Sequence, residues 1–189
     1  MARKTMLALS AQADTTLADN LTQDISAADV RNMVKDFIDT MAPGYGIASA
    51  DTLTLVALGV APQVVTYDDI LAMTNDFIVT PGAGTVERLA NGLPSTVQRV
   101  SFNCDLAAPA GDEVVFSLFR DGVDIPGGTT VSGQGLGNFV QAAFSIGTSA
   151  EDALDHIYDI RASKVTGGAD NVEIANVRFF LEYVPTLGI

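Results

Sequence analysis

Val97-Gln-Arg-Val-Ser-Phe-Asn-Cys-Asp-Leu106 is followed, after Ala107-Ala-Pro-Ala-Gly-Asp112, by Glu113-Val-Val-Phe-Ser-Leu-Phe-Arg120-Asp-Gly122. These 26 residues decide the fold class. In the first run Val100, Phe102, Cys104 and Leu106 alternate with Arg99, Ser101, Asn103 and Asp105. Period two places the apolar set on one face of a half-buried strand. The second run is rich in β-branched and aromatic residues, and Asp121-Gly122 is the dipeptide of a tight hairpin. Val123-Asp-Ile125 leads back, and Pro126-Gly-Gly should then break the strand.

The same grammar continues to the C-terminus. Residues 138–146, 153–164 and 172–184 read as strands, the last alternating Ala175, Val177, Phe179, Leu181 and Tyr183 against Asn176, Arg178 and Glu182. Gly133-Gln-Gly-Leu-Gly-Asn138 is a loop. Many short strands separated by Gly, Pro and Asp turns predict an antiparallel sandwich. At period two Phe102, Phe116, Phe119, Phe139, Phe144 and Phe179 belong to its core. Phe180 falls on the polar face, beside Arg178 and Glu182, which marks it as a candidate contact between subunits.

The N-terminal third is built differently. Residues 3–9 alternate weakly and suit a short strand, and residues 10–24 read as an extended polar arm. The clearest helix of the chain then runs over 27–41. Ser26 is its N-cap, with Asp29 three residues on in a relative of the capping box. Val30, Val34, Phe37, Ile38 and Met41 form one apolar stripe at helical spacing. Pro43-Gly44 stops it. Residues 42–63 are rich in small residues and read as a linker in which 52–60 is β-prone, and residues 67–73 are a weak candidate for a second helix. The expected organisation is an attachment and oligomerisation region over 1–62 and a sandwich head over 63–189, with residues 64–189 able to fold alone.

Charge and composition remove whole classes of function. Of 189 residues 48% are hydrophobic and 17% charged, so the chain can bury a core. The formal net charge is −13. Residues 1–50 carry a net −2 and residues 51–189 a net −11. A field of that sign repels phosphate backbones and anionic bilayers, so neither nucleic acid nor a membrane is an expected partner. No apolar run approaches the ~20 residues of a membrane-spanning helix.

Catalytic material is scarce. His156 is the only histidine and reads as a packed or half-buried structural side chain on the face shared with Leu154, Tyr158 and Ile160. Cys104, the only cysteine, reads as a small core residue. The glycine-rich stretches at 82–84 and 133–137 lack the Gly-Lys-Ser/Thr of a phosphate loop and precede no helix. The acidic pairs Asp68-Asp69, Asp112-Glu113 and Glu151-Asp152 read as solvated turns. A calcium ion at a sheet rim and a paired-carboxylate hydrolase are the alternatives they leave open. The expectation is a non-enzyme without cofactor or resident metal.

Two stretches carry a resemblance. Residues 20–40, with Ile25-Ser-Ala-Ala-Asp-Val-Arg31 at their centre, resemble a segment of tailed-bacteriophage virion proteins in which a polar arm precedes a short helix. Phe116-Ser-Leu-Phe-Arg-Asp-Gly-Val-Asp-Ile125 and the closing strand from Asn171 to Tyr183 resemble the jelly-roll heads of phage fibres and head decorations, similar in architecture to trimeric tumour-necrosis-factor and C1q heads. The resemblance implies a homotrimeric capsid decoration protein, a cement protein or head fibre, whose partners are its own copies and the major capsid protein or another virion protein. Its place is then the capsid surface. The alternative it allows is the tip of a tail fibre that binds a host receptor or surface glycan. The residues expected to touch the shell or sister subunits are Arg3, Lys4, Leu7, Leu9, Val30, Val34, Phe37, Ile38 and Phe180.

Overall fold

A computed structural model describes residues 11–13, 26–41, 44–89, 95–147, 150–151 and 154–185, excepting the side chains of residues 27, 38–41, 95–98, 150–151 and 184–185. The helix forms as its sequence dictates, as α1 (Ala27–Met41). Twelve strands follow: β1 (Gly44–Leu58), β2 (Gln63–Val64), β3 (Asp69–Met73), β4 (Phe77–Thr80), β5 (Thr85–Arg88), β6 (Ser95–Ala107), β7 (Glu113–Arg120), β8 (Val123–Ser132), β9 (Val140–Gly147), β10 (Ala150–Glu151), β11 (His156–Lys164) and β12 (Asp170–Pro185). All pairings are antiparallel.

The strands form two six-stranded sheets. The first has the order β10-β6-β12-β1-β3, with β9 also on β6; the second has the order β4-β5-β11-β7-β8, with β2 also on β11. First and last strands are thus neighbours in one sheet, and the two sheets pack as a jelly-roll-like β-sandwich. Between them lie the apolar faces read from the sequence. Phe102 packs against Phe116 of the opposite sheet at 5.2 Å between ring centroids and against Phe144 at 5.6 Å. Tyr67 stacks on Phe179 at 6.0 Å. Cys104 is buried in this core.

Five local features depart from the sequence reading. The largest is β1. Its pairing with β12 runs from Gly44 opposite Tyr183 to Leu58 opposite Asp170, so the sandwich begins at Gly44 and includes most of the stretch read as a linker. Its inward positions are Gly44, Gly46, Ala48 and Ala50, all buried. Side chains there are small because large ones face them: a Cβ on Gly44 would collide with the Tyr183 ring, and one on Gly46 would press on Val86 and Phe77. Residues 69–73, inside the weak helical candidate, form edge strand β3.

The third departure is that β8 runs through Pro126. It is the edge of its sheet, where a missing N–H costs nothing. The register with β7 slips between Phe116 and Leu118, and Gly128 is required there because a Cβ would meet the Phe116 carbonyl oxygen. The fourth is a change of face in β12. Asn176 has a φ of 51° at a bulge against β6, so Val172 and Ile174 point inward below it, and Val177, Phe179 and Leu181 above it. Asn176 Nδ2 donates to Asp105 Oδ2 at 2.7 Å. Of the arm, residues 11–13 are helical rather than extended, and Gln12 Nε2 donates to Asp36 Oδ2 at 3.0 Å.

Candidate interaction surfaces

The register defines two poles. At one, Gly44 and Tyr183 are partners, and only residues 42 and 43 separate α1 from this pole. At the other, the loops after β1, β6, β8 and β11 converge. There Gly133 N donates to Asp112 O, Gly135 N to Ala108 O, and Lys164 N to Gly59 O.

On α1, the Ser26 and Asp29 side chains close a reciprocal cap. Ser26 N donates to Asp29 Oδ2 at 2.9 Å and Asp29 N to Ser26 Oγ at 3.2 Å. The Ser26 hydroxyl holds the Asp29 carboxyl below its ordinary pKa. The stripe beyond the cap is uncovered: Val30, Val34 and Phe37 are 42, 48 and 46% exposed. Val30, Val34 and Phe37 thus form an exposed apolar row along one face of α1. Ile38 lies in α1, but its side chain is outside the described set, as are residues Arg3, Lys4, Leu7 and Leu9 altogether.

The outer face of the first sheet is the second surface. Phe180 lies there, half-buried, in a row with Ile47 on one neighbour and Ser101 on the other. The Arg99 guanidinium covers its ring at 4.6 Å and reaches Glu182 at 3.8 Å. Tyr45, opposite Glu182, extends the apolar part of the face. The structure therefore brings Phe180 together with Ile47 and Tyr45, which the sequence reading left inside the linker.

Each pole is also stoppered by a buried cation on the inner face of the second sheet. At the α1 pole Arg88 is fully buried, donates to the Leu154 carbonyl at 2.6 Å and lies 5.7 Å from the Tyr183 ring centroid. Beside it His156, also buried, has Nδ1 2.6 Å from Asp121 Oδ2. Asp121 anchors the β7–β8 turn, with φ of 51° at Asp121 and 80° at Gly122. Partial burial pushes its carboxyl up, but the Ile157 amide, the His156 ring and Arg120 together outweigh it and leave it below the ordinary value. The histidine is thus held by a turn carboxylate and faces the core.

At the loop pole the Lys164 side chain is 1% exposed. Its Nζ sits 2.7 Å from Asp112, 2.6 Å from Asp170 and 2.8 Å from the Gly168 carbonyl, tying the β6–β7 loop to the β11–β12 loop. The hydrogen bond with Asp112, then that with Asp170, raises its pKa above the ordinary 10.5. A raised cation pKa contributes stability in full below 10.5, and that contribution is lost as pH climbs through the folded-state value. The melting temperature should therefore fall on the alkaline side, and Lys164→Met should be less stable at neutral pH with a shallower alkaline limb. Equal alkaline limbs in thermal melts of the two proteins would contradict this role.

Burial pushes the Cys104 thiol up to about 12, which keeps it protonated and unreactive at neutral pH. Among the described residues no three of His, Cys, Asp and Glu come together as ligands for an ion. Neither Arg88 nor Lys164 was visible as a buried group in the sequence, since an isolated charge in a strand reads as exposed.

No family model matches the chain, and no curated protein matches it. Among solved structures it is similar to the globular domain of zebrafish complement 1qA protein, at 13% identity and a TM-score of 0.42, covering 78% of this chain and 100% of that one. It is also similar to the Eiger TNF of S. frugiperda, at 12% identity and a TM-score of 0.42, covering 78% and 96%. The PRD1 vertex protein P5 follows at 9% identity and a TM-score of 0.40, covering 77% and 96%.

Proposed function

We propose that the protein is a non-enzymatic virion structural protein, a homotrimeric decoration of a bacteriophage capsid. Its N-terminal region grips the shell or its sister subunits, and its acidic sandwich projects outward. The observation that carries this reading is the polarity of the molecule. An uncovered apolar helix stands at one pole of the sandwich, and the ordered loops gather at the other. A net charge of −11 over residues 51–189 keeps outward heads from adhering to one another. The resemblance of residues 20–40 to phage virion segments is the ground for taking the shell as the partner.

The test is the mass of the protein in solution by light scattering, together with its co-sedimentation with capsids. The expected mass is three times that of the chain. In the trimer the stripe is buried, so Val34→Asp should dissociate the oligomer while leaving the sandwich folded, because Val34 lies outside the core. A Val34→Asp protein that stays trimeric removes the stripe from the interface. A monomer that never co-sediments removes the whole reading.

A second reading, a host-receptor or glycan-binding tip, is favoured by one feature. Leu136 and Phe139 stand 68 and 46% exposed in the loop at the distal pole. Adsorption to cells that is lost in a Leu136→Ser, Phe139→Ser double variant selects it.

A further inference from the structure

The stripe of α1 and the outer face of the first sheet are complementary in shape and charge. α1 has three lanes. Val30, Val34 and Phe37 run down the middle, exposed. At ~100° per residue, Arg31 and Lys35 flank them on one side and Asp29 and Asp36 on the other. The sheet face has the same three lanes with the signs exchanged. Ile47 and Phe180 are partners in its middle, with Tyr45 beside them. On the side of β12 and β6, Arg178 and Arg99 outnumber Glu182. On the side of β3 stand Asp68 and Asp69, both exposed. Ala72 and Ser101, the next neighbours of Ile47 and Phe180 across the sheet, are small enough for a helix to approach.

We infer that α1 of one copy lies on the outer face of the first sheet of a second copy, antiparallel to its β1. This rests on the homo-oligomer of the proposed function and names the surface that covers the stripe. The second copy is selected because a single chain leaves the stripe exposed. Laid over its own sheet, α1 would have to cross a layer spacing of ~10 Å and reverse direction between Met41 and Gly44, three Cα steps that span at most ~11 Å. Each copy offers one helix and accepts one, so a ring closes with no such surface left over.

Handedness sets the direction. Tyr45 and Ser49 belong to the outward set of β1, and their carbonyls accept from Thr74 N and Asp68 N on the β3 side. For L-residues this puts β3 on the right of an observer outside the sheet who faces along β1. A right-handed helix laid stripe-down carries its basic lane on the left of its N-to-C direction. Arg31 and Lys35 therefore meet Asp68 and Asp69 only when the helix runs against β1. The spacings then agree. Asp29 and Asp36 are separated by a rise of ~10.5 Å, and the rows of Arg178 and Arg99 by ~14 Å along the sheet, a difference that arginine side chains span. Phe37 comes over Ile47 and Tyr45.

Cysteine pairing and charge exchange on the full chain test it. A Val34→Cys, Ile47→Cys protein should form disulfides between chains under mild oxidation, whereas Val34→Cys alone should form none. Cys104 is buried and stays out of the exchange. Arg31→Glu with Lys35→Glu should raise the dissociation constant of the oligomer in light scattering roughly tenfold, and adding Asp68→Lys with Asp69→Lys should restore it. Disulfides in Val34→Cys alone would mean that helices meet each other. An intrachain disulfide in the double variant would place α1 on its own sheet. Either result, no disulfide at all, or a charge exchange that restores nothing overturns the pairing while leaving the oligomer standing. A parent chain that is monomeric overturns both.

Discussion

A chain cut back to residues 64–189 should not fold, whereas one beginning at Gly44 should melt cooperatively. The sequence reading expects residues 64–189 to fold alone; the place of β1 in its sheet is the reason to expect otherwise. β1 lies between β12 and β3 and is paired with β12 along nearly its whole length. Without it β12 becomes an edge and β3 loses its sheet. The inward side chains Ala48, Ala50, Leu55 and Leu58 go too, each no more than 4% exposed. Burying a Leu stabilises by about 1.5–3 kcal/mol, and a strand's worth of hydrogen bonds is lost as well. That sum is comparable to the whole 5–15 kcal/mol of a typical domain. Far-ultraviolet circular dichroism through a thermal melt distinguishes the chains. A sharp transition in the 64–189 chain would show that β1 is dispensable. A disordered 44–189 chain would show that α1 helps to hold the sandwich.

The second large effect is expected at Phe102. Its side chain is 1% exposed, and it joins Phe116 across the sandwich to Phe144 on the adjacent strand. Phe102→Ala removes the ring and leaves a cavity whose walls belong to three strands in two sheets. Such truncations cost about 3–5 kcal/mol. In a chain of this length that lowers the melting temperature by roughly 10 °C. Phe139→Ala is the matched comparison. The alternation put Phe139 in the core with Phe102, but the structure leaves it 46% exposed in the distal loop. Its truncation should stay within about 0.5 kcal/mol of the parent. Similar losses at the two positions in denaturant titrations would mean that the distal loop is part of the core.

The sequence was most legible where local chemistry and tertiary packing agree. Ser26 and Asp29 specify the start of α1 by themselves, and the reciprocal cap is formed. The alternation at 100–106 and the Asp121-Gly122 turn locate β6, β7 and their faces, because one side of each strand is buried and the other wet. β1 was hidden for a tertiary reason. The inward positions of its first half are Gly44, Gly46, Ala48 and Ala50, where large side chains would meet Tyr183, Phe77 and Val86, and small residues carry no period-two signal. β8 was hidden because Pro126 is a breaker only in a central strand, and sequence does not say which strand is an edge. The face change at Asn176 was hidden because a φ of 51° is a property of the bulge against β6, not of residues 174–177 alone. Of the expected contact residues, Val30, Val34 and Phe37 were legible as a stripe, whereas Phe180's neighbours Ile47 and Tyr45 depended on finding β1.

The pairing of Gly44 with Tyr183 has a topological consequence. Where the sandwich starts and where it finishes stand one strand spacing apart, so the fold is a nearly closed ring of chain, nicked at a single place. Bridging that nick and reopening the ring elsewhere would preserve the order of both sheets. Any cargo spliced at either side of the nick would crowd the helix, while cargo spliced between Gly133 and Asn138 would ride at the far tip, clear of whatever the helix holds.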